Sequence, residues 1–324
     1  MKIGIVSTFL SRCGVSSYTE NLVEELKKTE DIKVICNHNA ELIKAYPDGV
    51  LPAFHAPFLT NQETANVPLI LDYLKDRDII HFQFETNIYH PSYFPELITK
   101  LKMHNKLIVF TMHSSGMWRE FDTRLVDHWI SHSQMWINDL YRHSSLIPMG
   151  CKFYDPPMSP PEDVAGFFKS ICSFGLGRNN DDILKACAGD NTYRTSYGNS
   201  KWLPIKDLVD FIRSNWVISL YYPPTGAHVS SSAVMLALGC DRPIIATDTE
   251  WFSHTNYPSI YKVNFNNHDE LKKLITRLTD CNPATIAEIR EDLNLTKELL
   301  TQEKRTYKDF IDKHIEVYKN LLKI

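Results

Sequence analysis

Ser230, Ser231 and Ser232 stand in a row where a turn-forming Pro223-Pro224-Thr225-Gly226 gives way to an apolar helical pattern ending at Gly239. A helix start leaves its first backbone N–H groups unpaired and carries the positive end of the helix dipole. Serine hydroxyls add N-caps and further donors. The combination is an anion site whose usual occupant is phosphate; plain helix capping explains the same residues. A second candidate is Arg178. It follows Ser173-Phe174-Gly175-Leu176-Gly177, a strand that ends in glycines and a polar turn. Its guanidinium can hold two phosphate oxygens at once; the bland alternative is a surface arginine. A third set consists of polar residues at the ends of apolar runs: Gln83 and Glu85 after Ile79-Ile80, and His113 after Leu107–Met112. His113 is the strongest of these for orienting a polar ligand. A satisfied structural histidine is its alternative.

These residues need a scaffold that brings strand ends together. Residues 3–8 read as a buried strand, the loop 10–17 contains Gly14, and residues 18–28 put Tyr18, Leu22, Val23 and Leu26 on one helical face. Strand, glycine loop and helix open a doubly wound α/β domain, whose ligands sit at the carboxyl ends of parallel strands. No G-x-G-x-x-G is present, so a dinucleotide fingerprint is not supported. Strands are expected at 32–36, 79–84, 107–112, 129–133 and 145–150, with a helix at 93–104. Residues 37–66 show no clear period. Pro156, Pro157, Pro160 and Pro161 mark a linker within 151–166. The second half reads as a strand near 170–174, helices at 181–188 and 205–213, strands at 216–220 and 242–248, and a strand at 259–263. Helices at 269–278, 284–299 and 303–322 end the chain; residues 189–203 show no clear period. The last helix puts Tyr307, Phe310, Ile311, Ile315, Tyr318 and Leu322 on one face, a packing stripe.

Composition narrows the class. The 324 residues suit two domains, each with its own core, and 43% apolar residues is ordinary for a globular protein. A net charge of −4 argues against a protein that coats nucleic acid. Lys100, Lys102, His104 and Lys106 read as a solvated helix end. No apolar run approaches the roughly 20 residues of a membrane span, and residues 2–10 read as a first strand rather than a signal peptide. Seven scattered cysteines without a C-x-x-C pair point to a reducing, cytoplasmic setting rather than a disulfide framework or zinc site.

The order and spacing of residues 3–18, 79–85, 109–113, 129–133, 146–150, 173–178 and 230–248 resemble the retaining glycosyltransferases of family 4. The resemblance implies the GT-B fold, two Rossmann-like α/β domains facing each other across a cleft that holds a nucleotide sugar. It implies an acceptor-side domain at 1–155, a donor-side domain at 166–302, and a helix at 303–324 crossing back to the first. By resemblance, Gly14 approaches the donor diphosphate and His113 sits beside the donor sugar. Arg178 contacts the phosphates, and Ser231 and Ser232 hold them, with Gly175, His228 and Ser230 in the same binding loops.

The sequence departs from the family at places that bear on activity. His228 and Leu236 hold the positions of its two glutamates, the second of which normally holds the nucleotide ribose. A lysine usually follows the arginine; Asp181 stands there instead, and a carboxylate repels a diphosphate. The reaction implied is sugar transfer from a nucleotide-diphosphate sugar to an acceptor hydroxyl, with retention. The acceptor is a glycan, lipid or small molecule. The carboxylates form no cluster strong enough to require a metal, so neither a metal nor a cofactor is expected. Other readings are transfer to hydroxymethylated bases of DNA, a non-catalytic GT-B binding protein and a nucleotide-sugar epimerase.

Overall fold

The structure is a computed structural model. It describes the whole chain except residues 12, 39–45, 61, 63, 86, 114–120, 133–142, 155–163, 175–179, 197–202 and 226–230. Two compact units emerge. One comprises Met1–Pro148 with Phe310–Ile324, the other Met149–Asp309.

The first unit is built on seven parallel strands: β1 (Lys2–Ser7), β2 (Asp31–Asn37), β3 (Val50–Phe54), β4 (Ile79–Phe84), β5 (Leu107–Met112), β6 (His128–Ser131) and β7 (Ser144–Leu146). Their order is β3-β2-β1-β4-β5-β6-β7. Ile3 pairs with Ile32 on one side and Ile79 on the other. The chain therefore winds outward from β1 to β3, then returns to continue from β4, which puts the topological switch between β1 and β4. Strands β1, β4 and β5 are almost wholly buried, as the continuous apolar runs of a parallel sheet covered on both faces require. The connecting helices are α1 (Gly14–Leu26), α2 (Pro57–Thr60), α3 (Val67–Leu74) and α4 (Phe94–Met103). Helix α1 starts four residues before the expected position because the Cys13 thiol sulfur accepts the Ser16 N–H and caps it. Strand β3 was hidden in the irregular stretch by Pro52. It is an edge strand, where the missing N–H is tolerated.

Alternate residues of β4 point to opposite faces. Ile80, Phe82 and Phe84 enter an aromatic core with Tyr89, Phe94, Phe110, Phe121 and Trp129. Phe84 stacks on Phe110 at 5.2 Å, and Tyr89 on Phe94 at 4.5 Å. His81 and Gln83 lie on the other face.

The second unit has five parallel strands, β8 (Ser170–Ser173), β9 (Thr192–Thr195), β10 (Val217–Leu220), β11 (Ile244–Thr247) and β12 (Ile260–Val263), in the order β12-β11-β10-β8-β9. Its switch point lies between β8 and β10. Its helices are α5 (Val164–Phe168), α6 (Asp181–Ala188), α7 (Ile205–Arg213), α8 (Ser232–Gly239), α9 (His268–Leu278) and α10 (Pro283–Gln302), and α11 (Tyr307–Leu322) follows. Helix α8 is apolar almost all round and packs Val234, Met235, Ala237 and Leu238 into the core. Gly239 ends it, where a Cβ would stand 2.0 Å from the Lys152 carbonyl oxygen. Only glycine admits that approach, and the Gly239 carbonyl accepts the Tyr154 N–H there. Helix α11 begins in the second unit and belongs to the first from Phe310 onward.

Candidate ligand-binding edges of the two sheets

The carboxyl edge of the first sheet carries a cluster of histidines. His113 follows β5 and His132 follows β6, while His81 lies within β4. His314 comes from α11. Burial pushes the pKa of all four down, His132 to about 4 and His314 to about 3. Mutual repulsion adds to this for His81, which faces His314, His113 and His132, and for His113, which faces His132. Each ring is therefore neutral at pH 7, with one N–H and one lone pair.

The hydrogen bonds fix which nitrogen is which. His314 donates from Nδ1 to the Phe310 carbonyl at 2.8 Å, so its Nε2 faces the Tyr18 hydroxyl, 3.4 Å away, as acceptor. His132 donates from Nδ1 to the Ile147 carbonyl at 2.8 Å. Its Nε2 is buried and finds no donor among the described residues. Gln83 turns its amide N–H toward His81 Nε2 at 3.3 Å, and Thr111 Oγ1 lies 2.7 Å from the same nitrogen. His81 thus donates from Nδ1 to the Tyr318 hydroxyl at 2.7 Å. The Gln83 carbonyl oxygen in turn accepts the Nε2–H of His113 at 2.9 Å. His113 keeps a lone pair on Nδ1, and its ring is only partly buried. A nitrogen whose protonation is suppressed suits hydroxyl recognition better than proton storage. Tyr18 packs edge-on to His113 at 4.8 Å and against His132 at 5.2 Å, which closes the cluster with an aromatic wall.

Gly14 is the exposed first residue of α1, on the connection that follows β1. The loop before it is knit internally. Ser11 Oγ donates to Asn37 Oδ1 at 2.9 Å, Ser16 Oγ to Glu20 at 2.8 Å, and Cys13 contacts Thr8 at 3.0 Å. Burial pushes the Cys13 thiol up to about 11, so it is no nucleophile.

In the second unit, Ser231 is the N-cap of α8, with extended backbone and no capping bond from its side chain. Ser232 is the first helical residue. No acidic residue occupies the first turn of α8, so nothing there competes with an anion for the helix N–H groups. Asp181 behaves otherwise. Its Oδ1 accepts the hydroxyls of Ser173 at 3.0 Å and Tyr193 at 2.5 Å, and those two hydroxyls touch at 2.6 Å. The carboxylate is thereby turned onto the β8–β9 edge. Burial and that carboxylate push the Tyr193 phenol well up. Arg178, Gly175, His228 and Ser230 lie outside the described residues.

Sequence reasoning singled out His113, Gln83 and Glu85 at this edge but missed His81, His132, His314 and Tyr318 as polar partners. The signal for His81 was the alternation His81, Gln83 inside an apolar strand, a polar pair on one face. The basic cluster is committed to local partners. Lys100 meets Glu96 at 2.6 Å, Lys102 meets Asp127 at 2.7 Å, and Lys106 donates to the carbonyls of Lys75 and Arg77, both at 2.6 Å. Among the described residues, no group of three or more histidine, cysteine, aspartate or glutamate side chains could hold a metal ion, and no helix is long and apolar enough to cross a membrane.

No protein-family model matches the chain, and no curated protein sequence matches it. Solved structures do. A glycosyltransferase from Rickettsia africae is similar at 14% identity and a TM-score of 0.66, with 99% of each chain covered. Anabaena HepE in complex with UDP is similar at 11% identity and a TM-score of 0.63, over 99% of this chain and 100% of that one. An alpha-glucosyltransferase in complex with UDP and a 13-mer DNA is similar at 10% identity and a TM-score of 0.69, over 98% and 99%. At such identities the likeness is one of architecture, and it places the two parallel-sheet units of this chain in the GT-B fold.

Proposed function

We propose that the chain is a glycosyltransferase that moves a sugar from a nucleotide-diphosphate sugar to an acceptor hydroxyl, with retention and without a metal. The observation that carries this reading is the match of architecture over nearly the whole chain to glycosyltransferases, two of them holding UDP. The local chemistry supports it. The α8 start offers N–H groups, an uncapped Ser231 and Ser232 to a diphosphate. Arg178 adds a bidentate cation, and Gly14, Gly175, His228 and Ser230 complete the binding loops. His113 orients the sugar through a neutral Nδ1. In retaining transfer the leaving diphosphate helps deprotonate the acceptor on the same face of the sugar. The protein then supplies positioning and positive potential for the growing phosphate charge. That potential comes here from helix N–H groups and Arg178. On this reading the first unit is the acceptor side, the second the donor side. Seven free cysteines suit the cytoplasm.

A second reading is transfer to modified bases of DNA, favoured by the likeness to the DNA-bound alpha-glucosyltransferase. It requires salt-sensitive DNA binding. The first test is calorimetry against uridine, guanosine, adenosine and cytidine diphosphate sugars, with and without chelator. Binding of one nucleotide sugar, lost in Arg178→Ala and kept in chelator, is the expected result. A folded protein that binds none of them is not this enzyme.

A further inference from the structure

His132 stands outside the functional reading, yet it holds the most conspicuous unmet bond at the edge of the first sheet. The residue is 6% exposed. Its Nδ1–H is committed to the Ile147 carbonyl at 2.8 Å, so Nε2 can only accept, and it finds no donor among the described residues. Buried polar atoms are rarely left so, because a desolvated acceptor without a donor destabilises the fold. Burial also keeps the ring from protonating, which removes the other way of satisfying it. The His113 ring lies 5.5 Å away, centroid to centroid, on the neighbouring strand end. Its Nε2–H is given to Gln83, so its Nδ1 carries the lone pair. Each ring thus keeps one neutral lone pair, and both rings pack against the Tyr18 ring. Lone pairs repel phosphate and carboxylate oxygens and attract O–H groups, so the pair selects a ligand that brings hydroxyls.

We infer that His132 accepts, through Nε2, a hydrogen bond from a hydroxyl of the same sugar that His113 orients, so that the two rings read a polyol together. The inference rests on the reading of His113 as a sugar ligand, and it adds a residue whose sole task is recognition.

The test uses the full chain labelled with 15N-histidine. Imidazole nitrogen resonances are followed as each of the four nucleoside diphosphates, and then each of the four nucleoside diphosphate glucoses, is added. The expected result is that a nucleoside diphosphate leaves His132 Nε2 in place, while its glucose conjugate moves that resonance in the direction of an accepted hydrogen bond. His132→Phe should keep affinity for the nucleotide and weaken the sugar conjugate about tenfold, one hydrogen bond's worth. His132→Gln, whose amide oxygen also accepts, should recover part of the loss. The wild-type measurement stands even if a variant fails to fold. A glucose conjugate that binds without moving Nε2 overturns the inference and leaves the glycosyltransferase reading intact. A resonance already at the hydrogen-bonded position in the free protein, and unchanged by ligand, means a resident water and also overturns it. If none of the four conjugates binds, both readings fall.

Discussion

The hydroxyl of Tyr318, on the last helix, lies 2.7 Å from Nδ1 of His81, at the centre of the first sheet. Both groups are fully buried. The contact begins a relay that runs from His81 through Gln83 to His113 and sets the lone pair that His113 presents. Tyr318→Phe removes the acceptor of a buried N–H. It should cost about 1–3 kcal/mol of stability, read as a lower urea midpoint at unchanged slope. A stability within 0.3 kcal/mol of wild type, on the order of the measurement error, would mean that the bond is not made.

Acid should unfold the first unit earlier than its carboxylates alone require. His81, His113, His132 and His314 are held neutral, with pKa values below the ordinary 6.5. The unfolded chain therefore binds more protons than the folded one below about pH 6.5, and stability falls as pH falls through that point. For His132 the loss is complete near pH 4, and for His314 near pH 3. The His132 and His314 shifts each correspond to a few kcal/mol, on the order of 1.4 per pH unit. Thermal midpoints between pH 7 and 4 should drop steeply, and less so in His132→Gln. A flat profile over that range would contradict the burial of the cluster.

Gly239→Ala should be among the most damaging single-methyl additions in the chain. The new carbon meets backbone rather than a movable side-chain end. Overpacking of this kind costs about 1–3 kcal/mol or more. Thermal unfolding of the variant checks it, and a wild-type midpoint would show that the Lys152 backbone can move aside.

His113→Ala and Arg178→Ala should each lower turnover about a hundredfold, the scale of one lost orienting or charge-stabilising group, while circular dichroism stays native. Ser232→Ala should cost less, because the backbone N–H groups at the α8 start remain. Near-wild-type rates in both of the first two variants would remove these residues from the site.

Much of the frame was legible because parallel sheets write themselves as apolar runs with polar punctuation. Helices α6 and α7 fall at the expected residues, and the pattern before His113 marks a strand end. What escaped depends on partners distant in sequence. His314 sits in the buried face of α11 between Phe310, Ile311, Val317 and Tyr318, where a count of apolar letters skips it. It is admitted because its own helix supplies the Phe310 carbonyl. His132 read only as the tail of a strand, since nothing local shows that Ile147 takes its proton and leaves the other nitrogen bare. Strand β9 was invisible in 189–203 because it is a short, half-exposed edge strand. Asp181 read as a charge opposed to phosphate; the two hydroxyls that turn it aside come from different strands.

The first unit is closed by the last residues of the chain, with the whole second unit inserted between. During synthesis residues 1–148 therefore emerge with His81 Nδ1 lacking the Tyr318 hydroxyl, and that bond waits until Phe310–Ile324 leaves the ribosome. Domains usually mature from the amino end as they are made. Here the second unit, continuous in sequence, is free to finish before the first. A stalled or prematurely ended chain would carry a complete second unit attached to a first unit that lacks its closing helix.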